Sequence, residues 1–229
     1  MPGIKVLDRL EVNIDIEEVL RFLGYRGTKK PEAKVREILA DEIKEAHALS
    51  RPKAIYCEVK VLGTEKDSIK LDGNLLLHVG DKAIRWWDGC QSLAIALCTI
   101  GGELEKKVSM LFDEGKYTQA LVLDSAGSVA VDSVVDQVNH LICQRASRAE
   151  KNVGPRLSPG YGKWLLTDQR LIFELLDGRS IGVHLNDQCM MIPQKSISFC
   201  VGLGIQEDSW KVSPCRYCGM PDCTYRVAK

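Results

Sequence analysis

Apolar residues recur along this chain with two different periods, and the switches between them outline its elements. From Tyr117 to about Arg148, Leu123, Gly127, Ala130, Val134, Val138 and Leu141 fall near one stripe of a helix. Ser128, Asp132, Asp136, Asn139, His140 and Cys143 fall on a separate, polar stripe of the same helix. Nearer the start, Asp15 with Glu18 makes a capping box for a helix running to about Leu23 and closed by Gly24. Pro31 suits the first position of a second helix through Val35, Ile38, Leu39 and Ile43, which ends before Arg51-Pro52. Ala54 to Leu62 alternates as a strand does, and Ser68 to Leu77 supplies one or two more. Ser92 to Ile100 is a nearly continuous apolar run, expected as a buried strand. Gly101-Gly102-Glu103 then opens a helix; this join lacks P-loop and dinucleotide spacing, so a tight turn is expected there.

In the last third, Gly154 to Gly162 reads as a loop. Thr167 and Asp168 cap a short helix through Leu171, Phe173 and Leu176, stopped by Gly178. Two late strands are expected, around Ile181 to Ile192 and Ser196 to Ile205, with Pro193 between them. Strands and helices mix without a regular βαβ rhythm, which predicts an α+β fold with a mixed or antiparallel sheet and long helices. Three regions are expected: a helical and strand region over 1–90, a core over 91–210, and a cysteine-rich tail over 211–229.

Composition narrows the class. A chain of 229 residues with 45% hydrophobic and 27% charged residues is that of a soluble globular protein with a substantial core. Lys plus Arg (31) equals Asp plus Glu (31), so no electrostatic footprint for nucleic acid or a membrane surface exists. No apolar run approaches the roughly 18–20 residues that span a bilayer. Met1-Pro2-Gly3-Ile4-Lys5 lacks the apolar core of a secretory signal, so a cytoplasmic location is expected. In that compartment the nine cysteines are thiols or metal ligands rather than disulfides. Cys57, Cys90, Cys98, Cys143, Cys189 and Cys200 are scattered singly, most of them in apolar surroundings. Cys215-x-x-Cys218-x-x-x-x-Cys223 is different: two thiolates share one tight turn and a third closes a metal-binding face. The fourth position is open or filled by Cys200 or Cys189. Iron–sulfur cluster, zinc and unligated or redox-active thiols are all compatible with this spacing.

The loop Arg156-Leu157-Ser158-Pro159-Gly160-Tyr161-Gly162 carries the strongest candidate chemistry. Pro155 and Pro159 restrain the backbone, while Gly160 and Gly162 permit close approach of a ligand. Arg156 offers a forked cation to a carboxylate, and Tyr161 a flat face to a purine or a sulfonium. These parts suit a small zwitterion bearing an aromatic ring, such as S-adenosylmethionine. On residue types alone a Pro/Gly surface turn with a structural Arg explains the segment as well.

The segment resembles the Arg-x-x-Pro-Gly-Tyr motif of the cobalamin-dependent methionine synthase activation domain. Leu171-Ile172-Phe173-Glu174-Leu175-Leu176 is similar to that family's short helix. Ile181-Gly182-Val183-His184-Leu185-Asn186-Asp187, Met190-Met191-Ile192-Pro193 and Ser196-Ile197-Ser198 resemble its following strands in order and spacing. Continuous resemblance covers about residues 120 to 205, and the chain resembles the compact, stand-alone form of the domain. The first ~90 residues match poorly, and the family's C-terminal region with a further ligand-contacting tyrosine has no counterpart here.

The resemblance implies the family's fold and a methionine-biosynthetic methyltransferase component that binds S-adenosylmethionine. It places the ligand contacts on Arg156, Ser158, Gly160 and Tyr161, with Asp136, or Asp132 one turn earlier, as the acidic residue near the ligand's positive end. It implies reductive reactivation of an oxidised corrinoid, with an electron from flavodoxin or ferredoxin and no side chain acting as general acid or base. His47, His78, His140 and His184 are isolated, and none forms the Asp-x-His-x-x-Gly pattern that ligates cobalt in many corrinoid proteins. Cobalamin is therefore expected on a partner, a cobalamin-binding methionine synthase or related corrinoid protein. Two other readings start from the cysteine cluster: a redox module that reduces a corrinoid methyltransferase, or a zinc-stabilised docking protein. Trp86-Trp87 suits a partner contact or apolar packing equally.

Overall fold

A computed structural model describes residues 3–25 and 31–205; Cys215, Cys218 and Cys223 lie outside the described residues. The order is β1 (Lys5–Leu7), α1 (Ile16–Phe22), α2 (Ala33–Leu49), β2 (Lys53–Glu65), β3 (Ser68–Leu71), β4 (Leu75–Leu77), α3 (Gly80–Trp86), β5 (Ser92–Thr99), α4 (Glu103–Asp113) and α5 (Tyr117–Arg148). Then follow β6 (Val153–Leu157), a 3-10 turn (Leu166–Asp168), α6 (Gln169–Leu175), a second 3-10 turn (Gly178–Ile181), β7 (His184–Leu185), β8 (Met191–Ile192) and β9 (Ser196–Leu203). The main sheet has the order β4-β3-β2-β5-β9-β6, with β1 also paired to β2, and its ladders are all antiparallel. This is the expected α+β architecture with long helices.

The apolar run of β5 has a physical reason. All eight of its residues are buried, because the central sheet is covered on both faces, an uncommon arrangement for antiparallel strands. Ala94, Ala96 and Cys98 point to the helical layer, where small side chains let α5 lie close. Leu93, Ile95 and Leu97 point to the opposite core with Trp87, Trp164, Ile172 and Leu176.

Helix α5 is buried over much of its circumference, held between the sheet and the helices α2 and α4. Gly127 makes that packing feasible: a Cβ there would lie 2.7 Å from Cδ2 of Leu104 on α4. The Gly101–Glu103 join is the tight turn the sequence predicts, with Gly101 at φ +80° and its N–H donating to Thr99 Oγ1 at 3.0 Å.

Several local expectations change. Asp15 caps α1 by accepting from Glu17 N at 2.9 Å, but Glu18 turns away to Arg21 instead of closing a capping box. Pro31 precedes the N-cap Glu32 rather than starting the helix. The Gly154–Gly162 segment is a strand in its first half. The expected strand over 181–192 is a 3-10 turn followed by a two-residue hairpin pairing. Its apolar alternation serves another end: Ile181 and Val183 insert into the core beneath the sheet.

Candidate functional site

Strand β6 forms one edge of the sheet and carries an irregularity that aims its side chains. Val153 pairs with Leu203, the register then shifts, and Arg156 and Leu157 pair with Val201 and Cys200. The indole of Trp87 fills the irregularity. Its Nε1 donates to Pro155 O at 3.0 Å, and a Cβ on Gly154 or Gly202 would come within 2.7 or 2.6 Å of its ring. Trp87 is thus a fully buried packing residue. After the shift, Leu157 enters the core under the sheet and Arg156 turns toward α5.

The Arg156 guanidinium lies over the Phe199 ring, 5.7 Å from its centroid, and Nη1 donates to Asp136 Oδ1 at 2.8 Å. The carboxylate is the open side of the pair: Asp136 is 72% exposed and Arg156 28%. Asp132, one turn earlier, is half-buried. Burial raises its carboxyl above the usual range, Asp136 adds to the rise, and Arg156 opposes it. Arg21 and Glu18 of α1 also act on Asp132 through their charges. Arg156, Asp136 and Asp132 therefore form one electrostatic group.

The chain after Arg156 is a compact turn. Gly160 N donates to Trp164 O at 2.9 Å, Tyr161 N to Ser158 O at 3.1 Å, and Trp164 N to Tyr161 O at 3.0 Å. Gly160 and Gly162 adopt positive φ, +91° and +59°, which an L side chain resists. Pro159 is buried and Ser158 half-buried, while Gly160 and Tyr161 are exposed, the latter at 57%. The turn presents an open surface rather than a closed chamber.

Asp168 holds this turn in place, in a role different from the expected helix cap. Its carboxylate makes no capping bond and is buried. It accepts instead from Trp164 Nε1 at 3.1 Å and from His78 N at 2.6 Å. Trp164 in turn meets Trp87 edge to face, centroids 5.9 Å apart. Lys163 reaches Asp81 at 3.1 Å, and Gly80 lets the two segments touch, since a Cβ there would sit 2.9 Å from Lys163 Cβ. The anchoring residues His78, Trp164 and Asp168 gave no sequence signal as a set, because two of them lie 90 residues apart.

Among the described residues no group of three or more His, Cys, Asp and Glu is placed to hold a metal ion. Cys57 and Cys90 are buried and pushed up to about 11 by burial; burial also raises Cys98 and Cys200. Cys189 Sγ accepts from Arg170 Nε at 3.1 Å. No helix among the described residues is long and apolar enough to cross a membrane.

No family model matches the chain, and no curated protein matches it. Among solved structures, a crystal structure of the MetH reactivation domain bound to AdoHcy superposes with a TM-score of 0.63 at 13% sequence identity. The match covers 91% of this chain and 81% of that one. The chain has the fold of that domain. The likeness extends well beyond residues 120–205 and takes in most of the N-terminal region that matches poorly in sequence.

Proposed function

We propose that this protein binds S-adenosylmethionine on the Arg156–Tyr161 turn and is the reactivation module of a cobalamin-dependent methionine synthase, acting on a corrinoid held by a separate protein. The observation that carries this reading is the Arg156–Asp136 pair at the foot of the turn, in a fold shared with the MetH reactivation domain bound to AdoHcy. A guanidinium and a carboxylate fixed 2.8 Å apart on different elements complement a molecule carrying both charges. Arg156 engages the ligand's carboxylate through N–H groups not used by Asp136. Asp136, with Asp132 behind it, faces the α-ammonium or sulfonium.

Gly160, where an added side chain would meet Leu166 at 3.6 Å, lets the ligand approach the backbone. Ser158 contributes its main chain, and the exposed Tyr161 ring packs against the adenine or the sulfonium. S-adenosylmethionine would supply its sulfonium methyl to cobalt(I) on the partner's corrinoid and leave as S-adenosylhomocysteine, with flavodoxin or ferredoxin giving the one electron that takes cobalt(II) to cobalt(I). The protein's own contribution is proximity and orientation, with no side chain moving a proton. An exposed turn suits this task, since the methyl must face a centre on another molecule. The cysteine trio Cys215, Cys218 and Cys223 holds an iron–sulfur cluster or zinc in this reading; metal analysis and the visible spectrum of anaerobically purified protein distinguish the two.

Calorimetric titration of the full chain with S-adenosylmethionine tests the reading. Saturable binding that Arg156→Ala abolishes, with its fold intact by circular dichroism, is the expected result. Absence of binding to the wild-type protein overturns it.

A further inference from the structure

Far along α5 from the Arg156 pair, the helical face of the sheet opens into a cleft of about 210 Å³. Arg145, on its rim, lies nine residues beyond Asp136, about 13 Å along the helix axis at ~1.5 Å per residue. Ala94, Ile142 and Leu203 make an apolar wall, and the charged residues divide unequally. Lys151 and Glu58 neutralise each other: Lys151 Nζ donates to Glu58 Oε1 at 2.8 Å, and Ser92 Oγ donates to the same oxygen. Lys5 and Arg145 are left over. Both sit against the Tyr56 ring, 5.8 and 5.6 Å from its centroid. Among the described residues neither has a carboxylate within ion-pair distance.

Tyr56 supplies a second, independent observation. It is only 5% exposed, it lines the cleft, and its hydroxyl has no hydrogen-bond partner among the described residues. A buried donor left without an acceptor is costly, and an anion with several oxygens removes that cost. Two cations held against one ring repel each other, and a dianion between them reverses the sign of that interaction.

We propose that this cleft binds a phosphate group, free or as the head of a small monoester whose organic part rests on the Ala94–Ile142–Leu203 wall. The excess of two positive charges over the Lys151–Glu58 pair matches a phosphate dianion better than a monocarboxylate. The site is separate from the turn bearing Arg156 and stands or falls independently of the function proposed there.

The test is calorimetric titration of the full chain, at constant ionic strength, with phenyl phosphate, inorganic phosphate and benzoate. Both phosphate-bearing probes bind, more tightly than benzoate. Arg145→Gln, an exposed substitution, weakens them by about tenfold or more, as loss of a charge-assisted bond does. Tyr56→Phe weakens them by about threefold while leaving the melting temperature unchanged or higher, because an unmet hydroxyl is removed. Arg156→Ala leaves phosphate binding as in the wild type. Phenyl phosphate tighter than inorganic phosphate assigns the site to a monoester, and equal affinities assign it to the free ion. No binding of either probe, affinity undiminished in Arg145→Gln, or benzoate bound as tightly as phenyl phosphate overturns the proposal.

Discussion

Arg156 on the edge strand and Asp136 on the long helix meet guanidinium to carboxylate at 2.8 Å, across 20 residues of chain. An ion pair with so exposed a carboxylate contributes about 0–1 kcal/mol to stability. Asp136→Asn is therefore expected to leave the urea midpoint almost unchanged yet weaken S-adenosylmethionine binding by about tenfold, as loss of a charged partner does. A double-mutant cycle with Arg156→Lys, which keeps a cation and a measurable affinity, shows whether the two act on the ligand together. A large stability loss with unaltered affinity would give the pair a structural role instead.

Asp168 offers a contrasting case, in which stability and binding fall together. Replacing it by Ala leaves the Trp164 indole N–H and the His78 amide without their acceptor, at roughly 1–3 kcal/mol each. Asp168→Ala is expected to lower the melting temperature and, by loosening the Ser158–Trp164 turn, the ligand affinity as well. Asp168→Asn keeps one acceptor oxygen and falls between. An Ala variant as stable as wild type argues against this anchoring.

Helix contact at Gly127 sets up a third expectation. A methyl group there meets Leu104 Cδ2 at 2.7 Å and Cδ1 at 3.1 Å. Overpacking of this kind costs about 1–3 kcal/mol and outweighs the gain of up to about 1 kcal/mol in helix propensity. Gly127→Ala should thus destabilise the protein in denaturant titrations, and a second change, Leu104→Val, should restore part of the loss. Simple stabilisation by Gly127→Ala would show that the α4–α5 contact is looser than described.

The pH dependence of stability follows from Asp132. Its folded carboxyl lies above the unfolded value of 3.8, chiefly through burial. In the window just above 3.8 the folded protein keeps a proton that the unfolded chain has released, so this group's contribution to stability declines as pH rises through that window. Asp132→Asn is expected to flatten the decline and to raise stability at neutral pH. Urea unfolding of both proteins from pH 4 to 7 decides it; identical slopes would exonerate Asp132.

Four of the six cysteines buried among the described residues should resist modification. Cys57, Cys90, Cys98 and Cys200 are buried with thiols pushed upward, so few thiolates form at pH 8. Mass mapping after iodoacetamide treatment of the native protein should find these four unmodified, and modified once urea is added. Rapid native labelling of Cys57 or Cys200 would contradict the two-faced cover of the sheet.

What the sequence disclosed tracks how local each signal is. The long helix α5 announces itself through its stripe, and β5 through an apolar run that makes sense once both faces are covered. The turn at Arg156–Gly162 is legible from its prolines and glycines. The family resemblance implies Arg156 and Asp136 only as separate ligand contacts; their direct pairing is not legible in the sequence, since nothing in the residues between them fixes it. Asp168 reads as a helix cap because the cap signal is local, whereas its donors are the Trp164 indole and the amide of His78, the latter from a distant segment. Helix α3 carries no local sequence signal: it is seven residues long, begins at a glycine with φ +81° and has no side-chain cap. The alternation of Ile181 and Val183 mimics a strand, while the chain forms a 3-10 turn over Gly178–Ile181 that Gly182, at φ +81°, ends in a left-handed cap.

The perpendicular indoles of Trp87 and Trp164 give the molecule an optical gauge of its own. One ring fills the irregularity beneath Arg156 and the other closes the turn that carries Tyr161, so a displacement of either segment alters their mutual orientation. Near-ultraviolet dichroism and intrinsic emission then register what happens at the surface turn without any attached dye, through two rings packed in the core beneath it.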